Sequence, residues 1–354
     1  IVNIISSLFF TAFNMTLSQW NNLQDASMLF IIDNWRLFFY YIAALGFVGG
    51  GSKFLSEYLV RDKKEARIYA KSASKYNFLF IGFPFLGLTI LLAITVPQTP
   101  QQQVAYFFLI FIVLFDRLRS CSDIYLLGYQ RYDYYAVALY GPDIFAYSFG
   151  ILTLFWFGFI GPVFCWVFSN ALGFILSMYF VSRVSDFPLS DVFDWRKEYG
   201  LAGKMIRFNL LFSLANVIFA LLTTRLLLVI GGPLGLLTNE EIIALGLVST
   251  YGNLLINTFQ IVSPILQSIS EAHSLKNPKL IENYTLLSLK FPIILSVAVI
   301  SFFILFGPDI ISIFNGVRWM TIGIFIITVI FFSYTIAAFS SKYDNILAGI
   351  GKPG

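Results

Sequence analysis

The sequence predicts an all-α polytopic membrane protein. It reads as two helical bundles in a parallel repeat, six spans to a complete bundle, with ten spans in these 354 residues. Three observations carry that prediction. The composition is 58% hydrophobic and 12% charged, with a mean hydropathy of +0.79, whereas soluble domains carry about 25% charged residues. A set of landmarks occurs twice at nearly one spacing. Positive charge is confined to alternate junctions between the apolar runs.

The landmarks are short. Ser56-Glu57 precedes a basic turn with Arg61, Asp62, Lys63 and Lys64, then a long apolar run containing Pro84. Ser270-Glu271 precedes Lys276, Asn277, Pro278 and Lys279, then a long run containing Pro292. Each copy continues through another apolar run into a glycine-containing basic turn. These turns are Leu127-Gly128-Tyr129-Gln130-Arg131 and Ala348-Gly349-Ile350-Gly351-Lys352. The spacings are 271 − 57 = 214 and 349 − 128 = 221. Two related halves in a membrane protein point to a transporter whose substrate path lies between them.

The ten apolar segments cover roughly 1–20, 28–59, 68–96, 103–127, 134–158, 160–182, 202–231, 242–269, 283–307 and 318–341. Several exceed the ~20 residues that cross a bilayer core, so tilt or helical extension beyond the membrane is expected. Arg61, Lys63, Lys64, Arg67, Lys71 and Lys75 follow the second segment, and Arg131 follows the fourth. Arg183, Arg196, Lys197, Lys204 and Arg207 lie between the sixth and seventh. Lys276 and Lys279 follow the eighth, and Lys342 and Lys352 the tenth. The other junctions are nearly free of positive charge, with Arg318 after the ninth. Lys and Arg mark the cytoplasmic side. A multi-pass protein of the cell membrane with a cytoplasmic N-terminus is therefore expected. Both Ser-Glu copies then face the cytoplasm, which makes the repeat parallel.

The expected division is an N-terminal lobe over 1–183, a cytoplasmic linker over 184–203 and a C-terminal lobe of four spans over 204–354. The chain starts on Ile1 and stops where the second copy of the basic turn falls. It is read as an internal piece of a longer protein, with two further spans expected after Gly354. No cleavable signal peptide is visible. Phe187, Leu189, Val192, Phe193 and Trp195 alternate with charges in the linker. That pattern suits a short amphipathic helix on the membrane surface, or a plain connector.

With these motifs in place the chain resembles the MOP superfamily, which covers multidrug (MATE-type) exporters, lipid II flippases and polysaccharide flippases. Ser56-Glu57-Tyr58-Leu59-Val60-Arg61-Asp62 and Leu127-Gly128-Tyr129-Gln130-Arg131 most resemble the polysaccharide (Wzx-like) branch. The resemblance covers nearly the whole chain. It implies alternating access by two six-span lobes around a central cavity.

Ionisable groups in an apolar core are costly and tend to face a cavity or a partner. Asp116, Arg117, Arg119 and Asp123 lie in the fourth segment. Asp116, Arg119 and Asp123 share a helix face and can pair, which leaves Arg117 over. They either form a cationic point that holds a phosphate or a structural ion-pair set. Arg36 has Asp33 at i−3, and Lys53 has Glu57 at i+4 with the option of snorkelling. Arg225 has no acidic neighbour in its own segment. Asn253, Asn257 and Gln260 form one stripe, suited to sugar hydroxyls or to interhelical hydrogen bonds. Gly141-Pro142-Asp143 predicts a kink with an acid beside it. Asp143 is a candidate partner for Arg117 or Arg119, or for a coupling ion.

The leading expectation is a flippase for a lipid-linked oligosaccharide or polysaccharide repeat unit. Arg117, Arg119, Arg225, Arg36 and Lys53 would face its phosphates. A cation-coupled MATE-type multidrug exporter with Asp116, Asp123 and Asp143 as coupling sites is the alternative, and Glu57 is a further ion-coupling candidate or charge partner. A non-transporting scaffold or a glycosyltransferase is a further one. No nucleotide loop, metal motif or catalytic constellation occurs, so neither an enzyme nor a cofactor is expected. Cys121, Cys165 and the single histidine His273 carry no site signal. The expected partners are a lipid-linked glycan and membrane lipids, with no nucleic acid, for a monomeric protein.

Overall fold

A computed structural model describes residues 2–43, 47–96, 99–194, 207–208, 228, 231, 236–259, 265–316, 319, 346–347 and 349–350. The described residues are all helix and connector. The helices are α1 (Val2–Ser18), α2 (Leu23–Ala43), α3 (Gly49–Arg61), α4 (Lys63–Tyr76), α5 (Phe83–Thr95), α6 (Pro100–Gly128), α7 (Tyr132–Phe157) and α8 (Ile160–Val184). They continue with α9 (Asn239–Phe259), α10 (Ile265–Ser274) and α11 (Pro278–Asn315). Eight of the ten predicted segments coincide with these helices. The segments at 202–231 and 318–341 fall almost wholly outside the described residues.

Local chemistry sets the helix ends. Thr99 and Gln102 form a capping box before Pro100, which suits the first turn because it lacks an N–H. Asp62 accepts from the Lys64 and Glu65 amides and starts α4. In the second copy Asn277 accepts from Leu280 and starts α11. The basic turn is thus a helix, a cap and a new helix in both halves. Pro84 cannot donate to the helical ladder, and α4 runs into α5 through a π-helical stretch at Asn77–Gly82.

Three helical stretches among the described residues are long and apolar enough to cross a membrane: Lys63–Thr95, Tyr132–Phe157 and Ile160–Val184. Helix α1 is short at 17 residues, and four charges interrupt the apolar run of α6. Large apolar side chains point outward, among them Phe155, Trp156, Ile175, Ile304 and Leu305. Such a surface suits lipid, not water.

Between helices in lipid the driving force is close packing of small residues. Helix α8 presents Gly161, Cys165, Ser169, Gly173, Ser177 and Val181, one every four residues, and all are buried. It packs along α6 and α7. Trp166 from the same helix is fully buried and meets Phe13 of α1 edge-on at 5.9 Å.

The repeat is visible as one contact made twice. A Cβ on Gly128 would come within 2.5 Å of Leu55, and a Cβ on Gly349 within 2.8 Å of Ile269. Leu55 and Ile269 each precede the Ser-Glu pair of their own half, 269 − 55 = 214 residues apart. The two halves meet on polar seams. Ser27 donates to Asn239 (2.8 Å), Ser249 to Asn34 (3.4 Å) and Gln267 to Ser52 (2.7 Å). These partners lie 212, 215 and 215 residues apart, close to the repeat spacing. A residue that touches its own copy lies at a two-fold axis. The pseudo-axis therefore runs between α2 and α9 and between α3 and α10.

The described part of the linker departs from the amphipathic-helix expectation. Leu189–Phe193 is a short 3-10 turn docked on the basic end of the N-terminal half. Asp191 takes a bidentate pair from Arg67 (2.5 and 2.9 Å) and a second from Lys71 (3.3 Å). Lys71 also reaches Asp194 (2.8 Å), and Val192 is buried beneath. Three cations on one face of α4 hold the segment down through Asp186, Asp191 and Asp194.

Two measurements test this packing. Gly128→Val is expected to lower the thermal unfolding temperature in detergent, since overpacking costs about 1–3 kcal/mol. Leu55→Ala in the same chain should recover part of the loss. Asp191→Ala should speed trypsin cleavage after Arg196 or Lys197, because the turn loses two cationic anchors; unchanged cleavage would mean that apolar contact alone holds it.

Candidate functional site

The ionisable groups gather inside the N-terminal half, in two adjoining clusters. The first joins α2, α7 and α8. Arg36 pairs with Asp33 on its own helix (3.1 Å) and with Asp143 on α7 (3.4 Å). It also donates to Tyr147 (2.5 Å) and lies over the Trp166 ring at 5.4 Å. Ser169 donates to Asp143 at 3.2 Å. The second cluster lies on α6. Asp116 accepts from Arg117 and from Arg119 (2.5 Å). Asp123 lies 3.7 Å from Arg119 and accepts from Ser177 of α8 at 3.3 Å. The two clusters adjoin through α8, whose Ser169 donates to Asp143 and whose Ser177 donates to Asp123.

Packing explains how guanidinium groups fit there. Gly173 faces Arg119: a Cβ on it would meet the Ala138 carbonyl oxygen at 3.0 Å and the Arg119 side chain at 3.4 Å. The small-residue stripe of α8 thus leaves room for Arg119 and supplies two hydroxyls, Ser169 and Ser177, to two carboxylates. Breaking a buried pair by removing one partner costs about 3–5 kcal/mol, so these pairs hold the half together.

The charge balance is the informative property. Three guanidiniums (Arg36, Arg117, Arg119) face four carboxylates (Asp33, Asp116, Asp123, Asp143), one negative charge in excess among the described residues. Each guanidinium has a carboxylate partner. Arg117 is only 1% exposed, and its Nε and Nη1 have no hydrogen-bond partner among the described residues.

Several expectations change. Asp143 pairs with Arg36, whose long side chain reaches it from α2, and not with Arg117 or Arg119. Arg117 is not left over; it binds the adjacent Asp116. Lys53 does not snorkel. Its side chain is buried, pairs with Glu57 at 3.0 Å and sits over the rings of Phe54 and Phe208 at 4.5 and 5.2 Å. Lys53 and Glu57 belong to the basic end, apart from the two clusters. Arg225 and Gln260 lie outside the described residues, as do the side chains of Asn253 and Asn257. Tyr147, Ser169 and Ser177 were missed. Tyr147 stands four residues after Asp143, and the serines stand on the four-residue stripe of α8, so both spacings were available as signals.

No family model and no curated protein matches the chain. Solved structures do. A complex of the MATE multidrug transporter DinF-BH aligns at a TM-score of 0.70 and 14% identity, over 100% of this chain and 81% of that one. A multidrug resistance MATE family transporter of the MOP superfamily, in an outward-facing conformation, aligns at 0.66 and 16% identity, over 99% and 82%. A MOP superfamily transporter from Pyrococcus furiosus Vc1, for which reverse polarity of the binding pocket suggests a different function, aligns at 0.63 and 16% identity, over 100% and 81%. At such identities the likeness carries the fold. The chain is an all-α, multi-pass membrane protein with the fold of MATE transporters of the MOP superfamily.

Proposed function

We propose that this protein is an alternating-access exporter of the MATE type, coupled to a proton or another monovalent cation through the buried acids of its N-terminal half. The observation that carries this reading is the excess carboxylate among the paired charges of α2, α6 and α7. A net negative charge inside the membrane is costly. Taking up a proton or cation relieves that cost, and releasing it restores the cost, so the cluster's energy follows its occupancy. Asp123 is the least tightly held member, with one ion pair at 3.7 Å and one serine hydroxyl. The same balance weakens the cationic phosphate cradle expected of a lipid-linked glycan flippase, since each described guanidinium is already engaged. The fold likeness to multidrug transporters supports the exporter in the same direction.

The flippase remains the second reading, on one observation. Arg117 keeps two buried N–H groups with no partner among the described residues, and a phosphate would satisfy both.

The test is transport in proteoliposomes. Ion-gradient-driven movement of a lipophilic cationic dye is expected, with the rate reduced at least about tenfold in Asp123→Asn, since a coupling acid cannot be replaced by an amide. Asp123→Asn should unfold near the wild-type temperature, because it removes only the surplus charge. Arg119→Ala should unfold well below it, because it strands buried carboxylates. No dye movement together with flipping of a fluorescent lipid-linked oligosaccharide would overturn the exporter and establish the second reading.

A further inference from the structure

The duplicated Ser-Glu motif has diverged between the halves. In the first copy Glu57 is saturated within its own helix, by Lys53 at i−4 and Arg61 at i+4, both at 3.0 Å. One repeat spacing on, those two positions are Gln267 and Leu275, so the second copy carries no cation at either spacing. Glu271 instead crosses to the other half and accepts a hydrogen bond from Gln130, in the turn that ends α6.

The partner side is equally lopsided. Gln130 sits at φ 56°, the left-handed region that a glutamine occupies only at a cost. The turn around it is a helix ending usually closed by glycine: Arg131 donates to the Leu126 carbonyl (2.8 Å) and Gln130 to the Leu127 carbonyl (3.0 Å). In the second copy the corresponding residue is glycine, Gly351, at the landmark spacing 351 − 130 = 221. The copy that carries a side chain here is the one whose turn faces Glu271, which has no cation at i−4 or i+4. Strained backbone of this kind marks places where the side chain has a task.

The surroundings complete a seam. Gln267, four residues before Glu271, donates to Ser52 of α3 at 2.7 Å, and both are buried. Tyr132, two residues after Gln130, lies beside Ser268 of α10. Helix α10 is therefore tied across the pseudo-axis by Gln267 and Glu271, with Tyr132 between them, at the basic end of the molecule.

We propose that Gln130 and Glu271 form a one-sided latch between the halves that holds the basic, cytoplasmic end of the path closed. The latch rests on the alternating-access reading and on the charge-derived topology. Because only one copy of the motif crosses the axis, the motif contributes a single bond to the closed end, beside the Gln267–Ser52 tie. The other copy stays bound within its own helix and moves with its half.

Thiol accessibility tests the latch without any cargo. Ser52→Cys places a thiol in the seam, and its labelling by a maleimide is read above that of Cys121 and Cys165, both buried. Gln130→Gly is expected to raise the labelling rate at least about threefold, and Glu271→Ala by a similar factor. The double variant should rise no further, since both changes break one interaction. Gln130→Gly should unfold at or above the wild-type temperature, because glycine is the favoured residue there. Glu57→Gln, the repeat counterpart, should leave labelling at the reference rate. Reference-level labelling in both Gln130→Gly and Glu271→Ala, or an equal rise in Glu57→Gln, would overturn the latch. Labelling that behaves as expected in a protein that moves no dye would instead count against the proposed exporter alone.

Discussion

Three guanidinium groups and four carboxylates buried inside one bundle constrain the whole N-terminal half. In lipid an uncompensated ion is far more costly than at a water-exposed surface, so the helices must pack where the charges can meet. Helix α8 shows the consequence. Its small residues at four-residue intervals let α6 and α7 pack along it, with Arg119 against Gly173 and Ser169 donating to Asp143, which Arg36 of α2 also reaches. Replacing that stripe with large residues would improve lipid packing and separate the ions. The pairs and the stripe are therefore one constraint seen from two sides.

The same constraint links stability to function. A balanced set of buried pairs would be an inert structural bolt. A set with one carboxylate too many has an energy that depends on whether a proton or cation is present. The cluster lies within one half, while the seams of Ser27 with Asn239, Asn34 with Ser249 and Ser52 with Gln267 lie between halves. Charge is stored in the N-terminal bundle, and movement would occur at the axis. Helix α2 connects the two, since Arg36 and Asn34 stand two residues apart on it. On the proposed exporter reading, occupancy of the cluster would bias the axis through this helix.

Much of this was legible in the sequence because the signals are local. Hydropathy and loop charge located the segments, and the cap residues Asp62, Thr99 and Asn277 mark helix starts by side-chain chemistry alone. Pairs on one helix, such as Arg36 with Asp33, Lys53 with Glu57 and Arg119 with Asp123, follow from the helical period. Pairs between helices do not. Asp143 is a candidate for Arg117, Arg119 or a coupling ion from the sequence, and its pair with Arg36 is invisible there because nothing local says which arginine of another helix can reach it. The first part of the linker shows the same limit. Its apolar residues suit a membrane surface or a plain connector equally well, and only packing sets Asp191 and Asp194 against Arg67 and Lys71; the rest of it lies outside the described residues.

By itself the sequence determined the all-α membrane fold, the duplication and which end is basic, since composition, period and charge placement are properties of the chain. The tertiary structure alone decided which charges neutralise which, because buried ion pairing depends on distances between helices that no spacing encodes. It also decided that the two Ser-Glu copies make different contacts. The residues that free Glu271, namely Gln267 and Leu275 in place of Lys53 and Arg61, stand plainly in the sequence. That Gln130 lies opposite to receive it follows only from packing α10 against the end of α6, across an axis that the chain crosses 141 residues apart.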